Sequence, residues 1–219
     1  MNLLRIYTVL VCLLVATGCG VLHREQGFVK LFDRATLNGW TMVGGWGPGY
    51  GITNGILYCA KGTGGNFFTV KEYSNFVLRL NYRLTPGANN GVGIRAPYEG
   101  TPAYTGMEIQ ILDDTAPQYA NLHPGQFNGS IYEVVPAKRG ALRPVGDWNS
   151  EEIVADGPHI KVILNGIVIV DTNLEAVTDP ALLEKHPGLR RKSGHIGLLS
   201  HLDYVEFRNI QIKELPPMP

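Results

Sequence analysis

From Gly27 onward the chain reads as short apolar runs separated by Gly, Pro, Asn and Asp. Phe76–Leu84 alternates strictly, with Phe76, Leu78, Leu80, Tyr82 and Leu84 on one side and Val77, Arg79, Asn81 and Arg83 on the other. A period of two describes a strand with one face in a core and one facing water or a groove. Strands are predicted at Ile52–Ala60, Phe67–Val70, Phe76–Leu84, Gly91–Ala96, Met107–Leu112, Ser130–Val135, Glu151–Ala155, His159–Leu164, Ile167–Asp171, His195–Ser200 and Val205–Lys213. Each is rich in β-branched or aromatic residues and is bounded by turn formers. Asn165-Gly166 lies between two such runs and marks a tight hairpin, because both turn residues need positive φ. A helical turn is expected only at Ala181–His186, stopped by Pro187-Gly188. Many short antiparallel strands with minimal helix predict an all-β sandwich or jelly roll of two sheets. No internal repeat is seen.

The first residues follow another pattern. A basic start, Met1–Arg5, precedes the apolar run Ile6–Ala16 and then Thr17-Gly18-Cys19. That order describes a signal peptide, and the run falls short of the about 20 residues of a membrane span. Cys19 after Ala-Thr-Gly resembles the acylated cysteine of a bacterial lipoprotein. The expected organisation is therefore a signal at 1–18, a tether at 19–26, one domain at 27–215 and a tail at 216–219. The expected location is the cell envelope, on the membrane through a lipid anchor.

Composition narrows the function classes. Nineteen Lys plus Arg balance nineteen Asp plus Glu, and a nucleic-acid binder would carry a basic excess. Of three cysteines only Cys59 lies in the predicted domain, inside an apolar run, so no intramolecular disulfide is available there and Cys59 reads as packing. The glycine-rich stretch Gly44–Gly51 contains Pro48 and precedes no helix, which argues against a phosphate loop.

Candidate chemistry centres on Gly106–Asp114. Glu108, Gln110 and Leu112 share one strand face, opposite Met107, Ile109 and Ile111. A carboxylate and an amide on one face, backed by apolar residues, suit a substrate-facing strand. Glu108, Gln110 and Asp113 also have the spacing of the acidic strand of jelly-roll glycan hydrolases, whose two carboxylates stand about 5 Å apart in retaining enzymes. Arg95 ends a neighbouring strand and is read either as a sugar or enolate contact or as an ion-pair partner of Glu108. His123 sits in a long polar loop and His201 just after a strand, both candidates for the same groove. His23, His159 and His186 read as surface residues, and His195 as structural. Tyr132 and Trp148, with Trp46, Tyr50 and Tyr104, are candidate sugar-stacking aromatics or core. No histidine pair has zinc-site spacing, so no metal is expected. A sheet-bound Ca²⁺ suits the architecture, but no Asp-rich loop demands one, and no cofactor is required.

Several motifs together resemble a known family: Gly27-Phe-Val-Lys-Leu-Phe-Asp-Arg-Ala-Thr-Leu-Asn-Gly-Trp40, Asn89-Asn-Gly-Val-Gly-Ile-Arg95, Gly106-Met-Glu-Ile-Gln-Ile-Leu-Asp113, Gly146-Asp-Trp-Asn149, Gly194-His-Ile-Gly-Leu198 and Val205-Glu-Phe-Arg-Asn-Ile210. They are similar, in order, to the 3-keto-disaccharide hydrolase family. The resemblance implies a concanavalin A-like jelly roll that cleaves glycosides oxidised at C3, with an oligosaccharide or glycoside as substrate. It carries over Arg95, Glu108, Gln110 and His201 as site positions. On this reading Glu108 or His123 is the base, Arg95 holds the enolate, and Gln110, Asp113, Tyr132, Trp148 and His201 bind substrate. A conventional retaining glycosidase using Glu108 and Asp113, and a non-catalytic glycan-binding module, remain open alternatives.

Overall fold

The computed structural model describes residues 27–216. The expected signal peptide, Cys19 and tether lie outside the described residues, as does the tail beyond Pro216. Among the described residues thirteen strands form two antiparallel sheets. They are β1 (Val29–Lys30), β2 (Trp40–Trp46), β3 (Tyr50–Thr53), β4 (Ile56–Cys59), β5 (Gly64–Tyr73), β6 (Phe76–Leu84), β7 (Asn89–Ala96), β8 (Met107–Leu112), β9 (Trp148–Asp156), β10 (His159–Leu164), β11 (Ile167–Asn173), β12 (Gly194–Ser200) and β13 (Val205–Glu214). The larger sheet runs β11-β10-β9-β6-β13-β4-β3, with β1 also on β13, and the smaller runs β2-β5-β12-β7-β8. Two short helices, α1 (Pro102–Thr105) and α2 (Pro180–Lys185), lie in the connections. The sandwich predicted from the alternation is the one observed.

The core lies between the sheets. Phe76, Leu78, Leu80, Tyr82 and Leu84 of β6 are buried there, while Val77, Arg79, Asn81 and Arg83 face outward. Met107, Ile109 and Ile111 of β8 meet them from the smaller sheet, together with Val92 and Ile94 of β7. Cys59 is fully buried, and burial pushes its thiol pKa up. The Asn165-Gly166 turn has φ of 51° and 84° and joins β10 to β11 as expected.

Several element predictions differ; α1 and β1 were not expected at all. The run Ile52–Ala60 is not one strand: Asn54 and Gly55 take φ of 50° and 72°, and Thr53 pairs with Ile56, folding it into the β3–β4 hairpin. Strand β2 was hidden by its glycines. Its pairing with β5 shifts register between Val43 and Trp46, and a Cβ on Gly65 would overlap the backbone of Gly45. Ser130–Val135 is no strand, because Glu133 takes φ 58° and closes a turn in which Ile131 bridges Val135.

One core position breaks the apolar pattern. Glu151 of β9 faces inward at 1 % exposure, and neither carboxylate oxygen has a hydrogen-bond partner. Burial raises its pKa to about 8. The native state thus keeps a proton that the unfolded chain releases near the ordinary value of 4.5. Its protonation favours folding fully below about pH 4.5, and that contribution is lost as pH rises toward about 8. We predict that Glu151→Leu, of similar volume, raises the thermal midpoint by about 5 °C at pH 8 and by less at pH 5. Thermal melts across that range would refute this if the gain were absent or independent of pH.

Candidate active site

Strand β8 places its two faces in different environments. Met107, Ile109 and Ile111 occupy the core, so Glu108 and Gln110 project from the outer face of the smaller sheet. Both are nevertheless nearly inaccessible, at 4 % and 3 % exposure. They form a buried polar row on that face. Gly93 lies opposite Glu108 and Gly91 opposite Gln110. A Cβ on Gly91 would overlap the Glu108 carboxylate, so the glycine is what lets this side chain lie across β7.

The segment 129–132 continues the sheet past β8. Gln110 N donates to Ser130 O (3.0 Å), Tyr132 N donates to Glu108 O (2.9 Å), and Ile109 bridges Ile131. Directly opposed antiparallel residues share a face, so Tyr132 stands beside Glu108. Its hydroxyl accepts from Gln126 Nε2 (3.1 Å), and Gln126 also donates to Glu133 Oε1 (3.0 Å). The Tyr132 hydroxyl proton is therefore free for a ligand.

His201, just beyond β12, completes the group. Its Nε2 lies 3.6 Å from Glu108 Oε1, an oxygen with no closer polar partner. The contact with Glu108 raises the imidazole pKa above its ordinary value, against the opposing effect of burial; the charges of Glu108 and Asp203 add to the rise. At 3.6 Å the link is an ion pair rather than a short hydrogen bond. The pair sets a half-exposed imidazole beside a buried carboxyl group, which places a candidate acid and a candidate base side by side.

An apolar patch adjoins them on the same sheet face. Phe68, Ala96 and Leu199 pack with Val43 and Tyr98, apart from the main core. His195 stacks on Tyr98 with ring centroids 3.9 Å apart, and its Nε2 lies 3.8 Å from Glu72. Phe68, Ala96, Leu199 and His195 are all buried, so this cluster is a second small core on the outer face of the sheet.

Four expected site residues are thus brought together: Glu108, Gln110, Tyr132 and His201. The other four are elsewhere. Arg95 sits in a bulge, since Gly93 pairs with Gly197 but Ala96 with His195. With φ at 49° its side chain turns away from the Glu108 face. The guanidinium donates to Ser74 O (2.9 Å), Gly157 O (2.8 Å) and Asn75 Oδ1 (3.2 Å), beside a cavity of about 560 Å³ that is distinct from the Glu108 floor. Its donors tie the ends of the two sheets together, and no ion pair with Glu108 forms. Asp113 is also structural: one oxygen accepts from Gly87 N (2.7 Å), the other from Thr115 N and Oγ1 (3.2 and 2.6 Å). Trp148 lies on the outer face of the larger sheet, between Arg83 (4.8 Å) and Arg208 (4.0 Å). The ring of His123 is exposed, and the neighbouring Gln126 makes the contacts that reach Tyr132.

His186 also departs from its expected surface position. It is 1 % exposed, with Nδ1 3.2 Å from Ala103 O and Nε2 4.0 Å from Glu133. Sequence reading passed over Gln126, Gly91 and the Tyr98–His195 stack. Only the alternation of Gly91 and Gly93 opposite Glu108 carried a signal. Among the described residues no group of three or more His, Cys, Asp or Glu is placed to hold a metal ion.

The ion pair has a direct spectroscopic consequence. Titration of His201 by NMR should give a pKa above the ordinary histidine value, and Glu108→Gln should bring it down by removing the partner charge. An unchanged midpoint in the variant would separate the two residues.

Comparison with known proteins adds three similarities. A protein of Bacteroides thetaiotaomicron named 3-keto-disaccharide hydrolase is 25% identical over 244 residues, covering 87% of this chain and 79% of its own. A crystal structure from Parabacteroides distasonis, of a protein assigned by inference as a glycosyl hydrolase, superposes with a TM-score of 0.75 at 28% identity, covering 86% of this chain and 99% of its own. A second from the same organism, assigned in the same way, has a TM-score of 0.72 at 22% identity, covers 88% of this chain and 95% of its own, and bears on the fold alone. The family model described as a 3-keto-alpha-glucoside-1,2-lyase-like domain matches residues 27–213.

Proposed function

Since the chain belongs to the 3-keto-alpha-glucoside-1,2-lyase-like family, we propose that it is a glycoside-cleaving enzyme that acts on 3-keto disaccharides at the Glu108 face. The observation that carries this reading is the Glu108–His201 pair, a buried carboxyl group beside a half-exposed imidazole. The names of the Bacteroides relative and of the more similar Parabacteroides structure support the same class of reaction.

The chemistry follows from the ketone. A C3 carbonyl acidifies the C2 proton, so Glu108 takes that proton and the electron pair moves into an enolate. The Tyr132 hydroxyl, oriented by Gln126, donates to the enolate oxygen; the hydrogen bonds of Arg95 to Ser74 and Gly157 support giving it this task in place of Arg95. The enolate then collapses: a C1–C2 double bond forms, the C1–O bond breaks, and protonated His201 delivers a proton to the leaving oxygen. Water adds its oxygen to C1 as neutral His201 takes the proton that water gives up, which restores the imidazolium, and the proton held by Glu108 returns to C2. The net change is hydrolysis. The Gln110 amide orients ring hydroxyls. A retaining glycosidase gains no support, because Asp113 is committed to its own loop.

Incubation with a 3-keto disaccharide and with its unoxidised parent tests the reading. Monosaccharide should appear only from the first, and Glu108→Gln should lower kcat by about a thousandfold or more while the fold is kept. Turnover of both sugars, or full activity in the variant, would remove the proposed mechanism.

An envelope location forms part of the proposal, supported by the leader-like Met1–Gly18 and by Cys19. Cells fed labelled palmitate should label the protein, and Cys19→Ser should abolish the label. Equal labelling of the variant would refute the anchor.

A further inference from the structure

The floor around Glu108 holds more hydrogen-bonding capacity than the proposed reaction uses. Three buried oxygens there lack any hydrogen-bond partner: Glu108 Oε1, Gln110 Oε1 and Asn89 Oδ1. Register puts them on one line. Glu108 lies opposite Gly93, Gln110 opposite Gly91, and Leu112 opposite Asn89, and all these positions share the outer face. Two residues of strand advance roughly 6.7 Å, so the row from Glu108 to the level of Asn89 is about 13 Å long. That length suits two sugar rings rather than one.

Asp203 extends the far end. Its Oδ2 accepts from Asn89 N at 3.0 Å, and nearby the Tyr119 hydroxyl donates to Gly87 O at 3.2 Å. A buried polar atom without a partner is costly and uncommon, so a row of them on a substrate-facing floor marks groups that a ligand satisfies. Rotation about the last torsion of an Asn or Gln amide is soft, and it turns the unused oxygen toward a bound hydroxyl.

We infer that Asn89, Asp203 and the far side of Gln110 form a second-ring subsite that holds the leaving sugar of a disaccharide and selects a neutral, hydroxyl-rich ring. The inference rests on the reading of the Glu108 face as the reacting site. Its chemistry is set by sign. The subsite offers acceptor oxygens and one carboxylate; among the described residues no lysine or arginine is ion-paired to Asp203, and the charge it interacts with is that of His201. Sugar hydroxyls donate to such a surface. A uronic acid in the same place would set its carboxylate against that of Asp203, a repulsion that a neutral ring avoids.

Calorimetric binding of unoxidised sugars tests the subsite without requiring any chemistry. The full chain is titrated with methyl glucoside, a glucosyl-glucose disaccharide and a glucosyl-glucuronate disaccharide. The neutral disaccharide should bind about tenfold more tightly than methyl glucoside, and the glucuronate should lose that advantage. Asn89→Ala should cut the affinity ratio of disaccharide to methyl glucoside by about tenfold. Asn89→Ser, which restores a short hydrogen-bonding group, should recover part of it. Thermal melts of both variants confirm that the half-exposed position tolerates the change. Equal affinities for all three sugars, a ratio unmoved by Asn89→Ala, or absence of sugar binding would overturn the subsite. If the binding pattern holds while no 3-keto disaccharide is cleaved, the reaction assignment fails and the subsite stands.

Discussion

The alternation of β8 is the constraint on which the site depends. Met107, Ile109 and Ile111 are fixed by the core, and a one-residue slip would drive Glu108 and Gln110 into it. The cost of burying an uncompensated carboxylate and amide keeps that register in place. Packing that holds the sandwich together therefore also aims the carboxylate. Gly91 provides the matching allowance on β7, because only a missing side chain leaves room for Glu108 to lie flat.

The surrounding parts take their places from this strand. Segment 129–132 adds to the free edge of β8, which brings Tyr132 beside Glu108 and links both to Gln126 and Glu133. Lys185 and His186, at the end of α2, reach Glu133 at 2.7 and 4.0 Å. Loops that are far apart in sequence are thus tied to one another around a floor that the core holds rigid. A general acid and base need this arrangement, since small displacements of a reacting group are expensive in rate.

Glu151 and Glu108 show how the same side chain takes opposite roles in one sandwich. Glu151 points between the sheets without a partner, and burial raises its pKa to about 8. Glu108 points outward and has His201 at 3.6 Å. The partner separates them, because both are almost fully buried and only Glu108 has an imidazole within reach.

Local pattern determined a good deal. The alternation of Phe76–Leu84, the Asn165-Gly166 turn and the two faces of Met107–Leu112 followed from period and turn chemistry, which act over a few residues. They were enough to give a two-sheet sandwich and to put Glu108 and Gln110 on one face. What only the tertiary structure decided was which distant groups meet there. Arg95 looked like a partner for Glu108 because it ends the neighbouring strand, but a bulge set by pairing with β12 turned it away. Trp148 lies on a strand of the other sheet, and strand order is a long-range property that local pattern does not encode. His201 and Tyr132 reach Glu108 through loop paths and edge pairing for the same reason. The faces of a strand are written in its own residues; the neighbours of each face are set by the pairing of the whole sheet.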